Sequence, residues 1–171
     1  MNKSVILSKW LRGLQILVMG TALSLTMSNR ETDQVWANSR NRMVAQTIQT
    51  LQKSDQRWIQ IKLSQQRLIA WDGKTPVYAI AISTGKKSTP TRTGTFKIQS
   101  KIKSMRMRGR DYDVPNVPHA MFYQGNYGIH GAYWHRRFGI PVSHGCVNLA
   151  PNHAKWLFNW ASIGTPVVIH R

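Results

Sequence analysis

Cys146 is the only cysteine in the 171-residue chain, and histidines stand around it at 130, 135 and 144. The local sequence is Gly128-Ile129-His130-Gly131, a short connection, then Val142-Ser143-His144-Gly145-Cys146-Val147-Asn148-Leu149. A thiol becomes a useful nucleophile as thiolate, and its ordinary pKa of about 8.5 leaves little thiolate at neutral pH. An imidazole within reach takes the proton or pairs with the thiolate. The pattern therefore points to acyl transfer through Cys146. His144, two positions away, shares a face with Cys146 if the segment is extended. His130 lies thirteen positions before Ser143 and meets the thiol only through tertiary folding. His135 reads as a loop residue. Gly145 removes side-chain bulk where a carbonyl must approach, and lets the backbone turn sharply. That suits amides aimed at a developing oxyanion.

No Asp or Glu occurs from position 114 to the end, so a histidine base there needs a backbone carbonyl, Asn or Ser to orient it. Metal is the competing chemistry. His130, His135, His144 and Cys146 are zinc-ligand types, but neither a Cys-x-x-Cys pair nor a His-Glu-x-x-His helix accompanies them. A zinc-dependent hydrolase stands as the lesser alternative; no metal and no cofactor are expected. Six acidic residues against 24 Lys and Arg, a net charge of +18, leave other chemistries short of carboxylates. A glycosidase places two of them astride the scissile bond, whereas Asp111 and Asp113 are close neighbours, read as a charged loop beside Arg108 and Arg110.

The charge itself implies an anionic partner: nucleic acid, a membrane surface or a wall polymer. Nine Lys or Arg fall within 86–110. No nucleic-acid-binding signature goes with them, so nucleic acid is not expected as a partner. A solvated basic face and a docking face for an anionic envelope are the two readings of this run. A non-catalytic basic module that coats such a surface is the alternative from a different functional class.

The elements that must carry the chemistry follow from pattern. Residues 1–37 read as a signal peptide or N-terminal anchor. Lys3, Lys9 and Arg12 precede the uncharged run Leu14–Met27, and Val35-Trp36-Ala37 offers a cleavage point after Ala37. The expected location is therefore exported, in periplasm or wall, with anchoring by this segment as the variant. Export favours disulfides, and one cysteine has no internal partner, which suggests a reactive thiol or an intermolecular bond. Residues 38–56 read as a polar spacer in which Val44, Ile48 and Leu51 allow a short amphipathic helix. The domain proper is 57–171. Its strand patterns fall at 58–63, 67–71, 76–82, 94–98, 120–124, 127–130 and 166–169, with a turn at Asp72-Gly73. Ser83–Thr93 is a loop by composition, and Pro115 and Pro118 bound another. One amphipathic helix follows the cysteine at about 152–161, with Pro151 near its start and Gly164 at its end. The fold class is mostly β, a sandwich or barrel, with one helix after Cys146.

Ile129-His130-Gly131 followed by Ser143-His144-Gly145-Cys146-Val147-Asn148-Leu149 resembles the catalytic signature of the L,D-transpeptidases, the YkuD-like family. Ser83-Thr84-Gly85-Lys86, Thr91–Phe96 and Gly164-Thr165-Pro166-Val167 resemble its flanking segments, so the likeness runs over roughly 57–170. It implies that family's β-rich catalytic fold and cell-wall chemistry. Cys146 would attack the third-residue carbonyl of a peptidoglycan stem tetrapeptide, centred on an L-configured diamino acid, and expel D-alanine. The acyl group would then pass to an amine of a second stem in a 3→3 cross-link, to a protein lysine or to water. Carried over residue by residue, His130 is the base and the Gly131 carbonyl orients it. The Gly145 and Cys146 amides line the oxyanion hole, and His144 and Ser143 shape the site. His144 as base is the internal alternative. Asn148 stands where many relatives carry arginine and is the substrate-binding candidate. Pro90-Thr91-Arg92-Thr93-Gly94 lacks a second proline found in relatives. The implied partners are stem peptides and an anionic envelope; the oligomeric state is open.

Overall fold

Strands here are built from β-branched and aromatic residues separated by tight turns, and the turns set the architecture. Gly73 closes the turn between the second and third strands at φ +53, where a side chain would also press on the Ser54 carbonyl, 2.5 Å from a built Cβ. A computed structural model describes residues 31–171. Residues 31–52 are helical (α1). The strands are β1 (Arg57–Lys62), β2 (Arg67–Asp72), β3 (Thr75–Ala81), β4 (Gly94–Lys97), β5 (Ser100–Arg108), β6 (Asp113–Gln124), β7 (Tyr127–Gly131), β8 (Val147–Leu149) and β9 (Pro166–His170). Helix α2 (Pro151–Trp160) lies between β8 and β9.

Two sheets result: five strands in the order β3-β2-β1-β9-β4, and four in the order β5-β6-β7-β8. Ile59, Ile61, Val167 and Ile169 of the first sheet and Met121, Ile129, Val147 and Leu149 of the second share one core, with Ala154 and Leu157 of α2. Alternation along each strand puts these apolar residues on one face. Helix α2 begins with Pro151, which needs no amide partner there. At its other end the Lys101 ammonium donates to the Phe158 and Ala161 carbonyls, at 2.6 and 2.5 Å, opposite the negative end of the helix dipole.

The fold is mostly β with a helix after the cysteine, as expected. Two differences concern β6 and β5. Pro115 and Pro118 do not bound a loop; they lie inside the 12-residue β6. Pairing of β6 with β7 starts only at Met121. The prolines thus sit where one side of β6 has no strand neighbour, a position that tolerates a missing N–H. Asn116 at φ 51 marks the irregularity there. The cation run contains an edge strand, β5, in which Met105 and Met107 alternate with exposed Arg106 and Arg108.

The chain divides after Arg42 into two units. In the larger one, Met43–Arg171, Val44, Ile48 and Leu51 pack with Trp58, Trp71 and Val168 in a second, smaller core. Trp58 stacks on Trp71 at 5.3 Å and donates its ring N–H to the Gly73 carbonyl at 2.9 Å. The anticipated short helix is the C-terminal part of α1. Residues 35–37, read as a cleavage point, are helical, with Val35 and Trp36 exposed. The apolar run 14–27 lies outside the described residues. No helix among the described residues is long and apolar enough to cross a membrane.

Candidate active site

The Ser143–Cys146 turn is held by hydroxyl groups. Ser143 Oγ donates to the Cys146 carbonyl at 2.5 Å and accepts from the Gly145 amide at 3.1 Å. Thr91 Oγ1 donates to the Gly145 carbonyl and accepts from the Gly85 amide, both at 2.8 Å. Thr89 Oγ1 donates to the Ser143 carbonyl at 3.1 Å. The 83–93 segment is therefore a clamp on the turn. Glycine is required at 145, where φ is +118 and a Cβ would come within 2.9 Å of the Tyr127 ring.

His130 ends up beside this turn because β7 and β8 run parallel, pairing Ile129 with Val147 and His130 with Asn148. His130 is 3% exposed. Its Nδ1 lies 3.0 Å from the Gly131 carbonyl, which only accepts, so Nδ1 carries the proton and Nε2 is left bare. Burial pushes the imidazole down to about 4; the Gly131 bond opposes this, and His135 adds to it. Burial also pushes the Cys146 thiol above its ordinary value, against a backbone hydrogen bond at Gly128. The thiol donates to the Asn126 carbonyl at 3.5 Å. Both shifts favour neutral thiol and neutral imidazole over a standing ion pair.

Cys146 and His130 line one cavity of about 540 Å³. Its cover comes from the β5–β6 hairpin, through Met107, Tyr112 and Val114, and from the 132–142 loop, through Trp134, His135 and Val142. Asp111 accepts from or pairs with His144 Nε2 at 3.0 Å, and Tyr112 stacks on the same ring at 4.8 Å. The hydrogen bond to His144 is the main reason the Asp111 carboxyl falls below the usual range. The Tyr133 hydroxyl donates to the Pro115 carbonyl at 2.6 Å, joining the loop to the hairpin.

Residues 56–169 match the model of the YkuD family, the L,D-transpeptidase catalytic domain. The chain belongs to this family. It is 31% identical over 99 residues to L,D-transpeptidase 1 of Mycobacterium tuberculosis, covering 51% of this chain and 39% of that protein. It is 30% identical over 106 residues to L,D-transpeptidase 2 of the same species, covering 54% and 26%. The chain thus spans less than half the length of these curated relatives. Among solved structures, an L,D-transpeptidase from Mycobacterium smegmatis superposes with a TM-score of 0.64 at 25% identity, over 68% of this chain and 59% of that one. The catalytic domain of the Enterococcus faecium L,D-transpeptidase gives 0.62 at 27%, over 68% and 98%.

The L,D-transpeptidase signature is gathered by the fold around one cavity: His130, Ser143, His144, Cys146 and Asn148 all line it. Three expectations change. The Gly145 amide is taken by Ser143 Oγ, so it is not a free oxyanion donor in this state. Asp111 is not beside Arg108 and Arg110 in function; its hydrogen-bond partner is His144, whereas Asp113 binds Arg106 through two bonds of 2.6 Å. The site therefore does have a carboxylate, supplied from upstream of 114. The zinc reading loses donors too: His130 Nδ1, His144 Nε2 and both His135 nitrogens are engaged by protein groups. Sequence reasoning passed over Tyr112 and Trp134, which carry no distinctive chemistry at their positions, and quoted Thr91 only as part of a flanking segment, without its hold on the turn. Asp111 had a signal, being one of only four acids after position 37.

Proposed function

We propose that this chain is a peptidoglycan L,D-transpeptidase acting through Cys146. The observation that carries this reading is the disposition of His130: Nδ1–H tied to the Gly131 carbonyl, Nε2 bare, in the wall shared with Cys146. As Sγ attacks the third-residue carbonyl carbon of a stem tetrapeptide, Nε2 takes the thiol proton. The Cys146 amide serves the oxyanion, with the Gly145 amide occupied. The imidazolium then protonates the D-alanine nitrogen, the C–N bond breaks, and a thioester remains. An acceptor amine attacks the thioester carbonyl and gives its proton to Nε2, and the thiolate leaves and is reprotonated. Water in place of the amine gives a tripeptide. With imidazole and thiol both neutral at rest, the proton moves from Sγ to Nε2 as the attack proceeds.

His144 is the weaker candidate for the base because its Nε2 is turned to Asp111. The +18 charge supports an anionic envelope as the setting, and wall chemistry requires residence outside the cytoplasm, in keeping with the 1–37 pattern. The test is incubation of the protein with a defined stem tetrapeptide. D-alanine release with dimer or tripeptide formation, and an acyl adduct on Cys146 by mass spectrometry, is the expected result. Full activity in Cys146→Ala would sink the proposal. His130→Ala should lower the rate by about 10²–10⁴; an unchanged rate would transfer the role to His144.

A further inference from the structure

The wall behind Cys146 contains a second histidine whose role the mechanism does not use. His135 Nδ1 accepts the Arg137 amide at 3.1 Å. An accepting Nδ1 carries no proton, so a neutral His135 has its proton on Nε2. Nε2 lies 3.0 Å from the Asn148 side-chain amide. Nε2–H is a donor and needs an oxygen, so the amide is oriented with Oδ1 toward His135 and its NH₂ at the other end. That other end is buried and has no partner among the described residues. Asn148 is 3% exposed, lines the cavity, sits two residues from Cys146 and is the cross-strand neighbour of His130. A buried amide hydrogen without an acceptor is costly, and Asn148 is one of the residues that line the cavity.

We propose that His135 is a positioning residue of the site: by holding Oδ1 it makes Asn148 a hydrogen-bond donor to the substrate, selecting a carbonyl or carboxylate oxygen of the donor stem. The chemistry of the wall supports this choice of ligand. No lysine or arginine lines the cavity, so recognition of an oxygen acceptor there falls to neutral donors. With the amide reversed, the same position would offer an oxygen and repel such a group. The inference rests on the transpeptidase reading for its substrate, but not for its geometry.

The geometry predicts opposite tautomers for two histidines in one cavity, Nδ1–H for His130 and Nε2–H for His135. ¹⁵N-histidine NMR of the intact protein, assigned with His135→Gln, reads this directly; an Nδ1–H tautomer at His135 would overturn the proposal. Steady-state kinetics on stem tetrapeptide gives the second readout. His135→Ala should raise KM about 10-fold, the worth of one hydrogen bond, with kcat changed less than about 3-fold. His135→Gln, whose amide can still donate to Oδ1, should recover most of the loss. In an Asn148→Ala background, His135→Ala should add almost nothing. A kcat loss with unchanged KM, no recovery by glutamine, or additive losses would each refute the positioning role. If the wild-type protein shows no turnover, the functional reading fails by itself. Titration with the same peptide then still decides the inference, by whether the Asn148 NH₂ resonances shift in wild type and not in His135→Ala.

Discussion

His130 shows how one residue's surroundings fix both its chemistry and its cost. Held neutral, with a value of about 4 against an ordinary 6.5, it can receive a proton only from a partner driven to give one. The same shift makes stability depend on pH. As pH falls below about 6.5 the unfolded chain binds this proton and the folded chain does not. The His130 contribution is therefore complete above that pH, shrinks between 6.5 and 4, and levels off below. The full gap corresponds to about 3 kcal/mol. His119 and His135, also pushed down by burial, act in the same direction. Urea unfolding at pH 7 and pH 4.5 should show a clear loss for the wild type and a smaller one for His130→Gln. Equal losses would mean that the imidazole is not buried neutral. The cavity's thiol, its two nearby imidazoles and the Gly145 turn were legible from residue type alone, because thiol, imidazole and missing side chain declare their chemistry. Hydrogen-bond allocation was not: whether an amide faces a carbonyl or the Ser143 hydroxyl is decided by a few tenths of an ångström of packing.

At the level of elements, the β5–β6 hairpin was the least legible part. Its prolines read as loop boundaries, since sequence alone does not say which edge of a strand is unpaired. Its cations masked the Met105–Met107 alternation. α1, by contrast, showed its docking face through Val44, Ile48 and Leu51, while the polar turns before it carried no period to reveal them. The hairpin is tied to the candidate site. Its tip touches the signature at His144 through Asp111 and Tyr112, and farther back Tyr133 ties the loop to Pro115. A carboxylate–imidazole bond is charge-assisted, and it is the polar one of the tip's two contacts with His144. Asp111→Asn should loosen the tip. Amide exchange over 109–113 should quicken and KM rise roughly 3- to 10-fold with kcat nearly unchanged. His144→Gln should reproduce the effect. Unaltered exchange and KM in Asp111→Asn would show that the hairpin is held by Tyr112 stacking, the Tyr133–Pro115 bond and β pairing without help from Asp111.

Across the described residues, the basic edge and the cavity beside Cys146 are separate features. The cavity has no lysine or arginine in its wall, whereas the outer edge strand β5 presents Lys103, Arg106 and Arg108, with Arg110 just beyond it. Asp113 neutralises part of this edge by binding Arg106 and Arg108. Lys103 and Arg110 enter no ion pair among the described residues. Charges of this kind act at long range on a polyanion and weakly on a short peptide, and salt screens them within about 10 Å at 0.1 M. The two readings of the cation run therefore separate in one experiment. If the edge docks on the envelope, binding to isolated cell wall should fall steeply between about 0.05 and 0.5 M salt. It should weaken in Lys103→Glu/Arg110→Glu and be indifferent to Cys146→Ala. Turnover of a soluble tetrapeptide should respond little to either salt or the charge reversal. Wall binding that survives high salt and the double reversal would leave β5 a solvated edge, its charges serving to keep a bare strand from pairing with another chain.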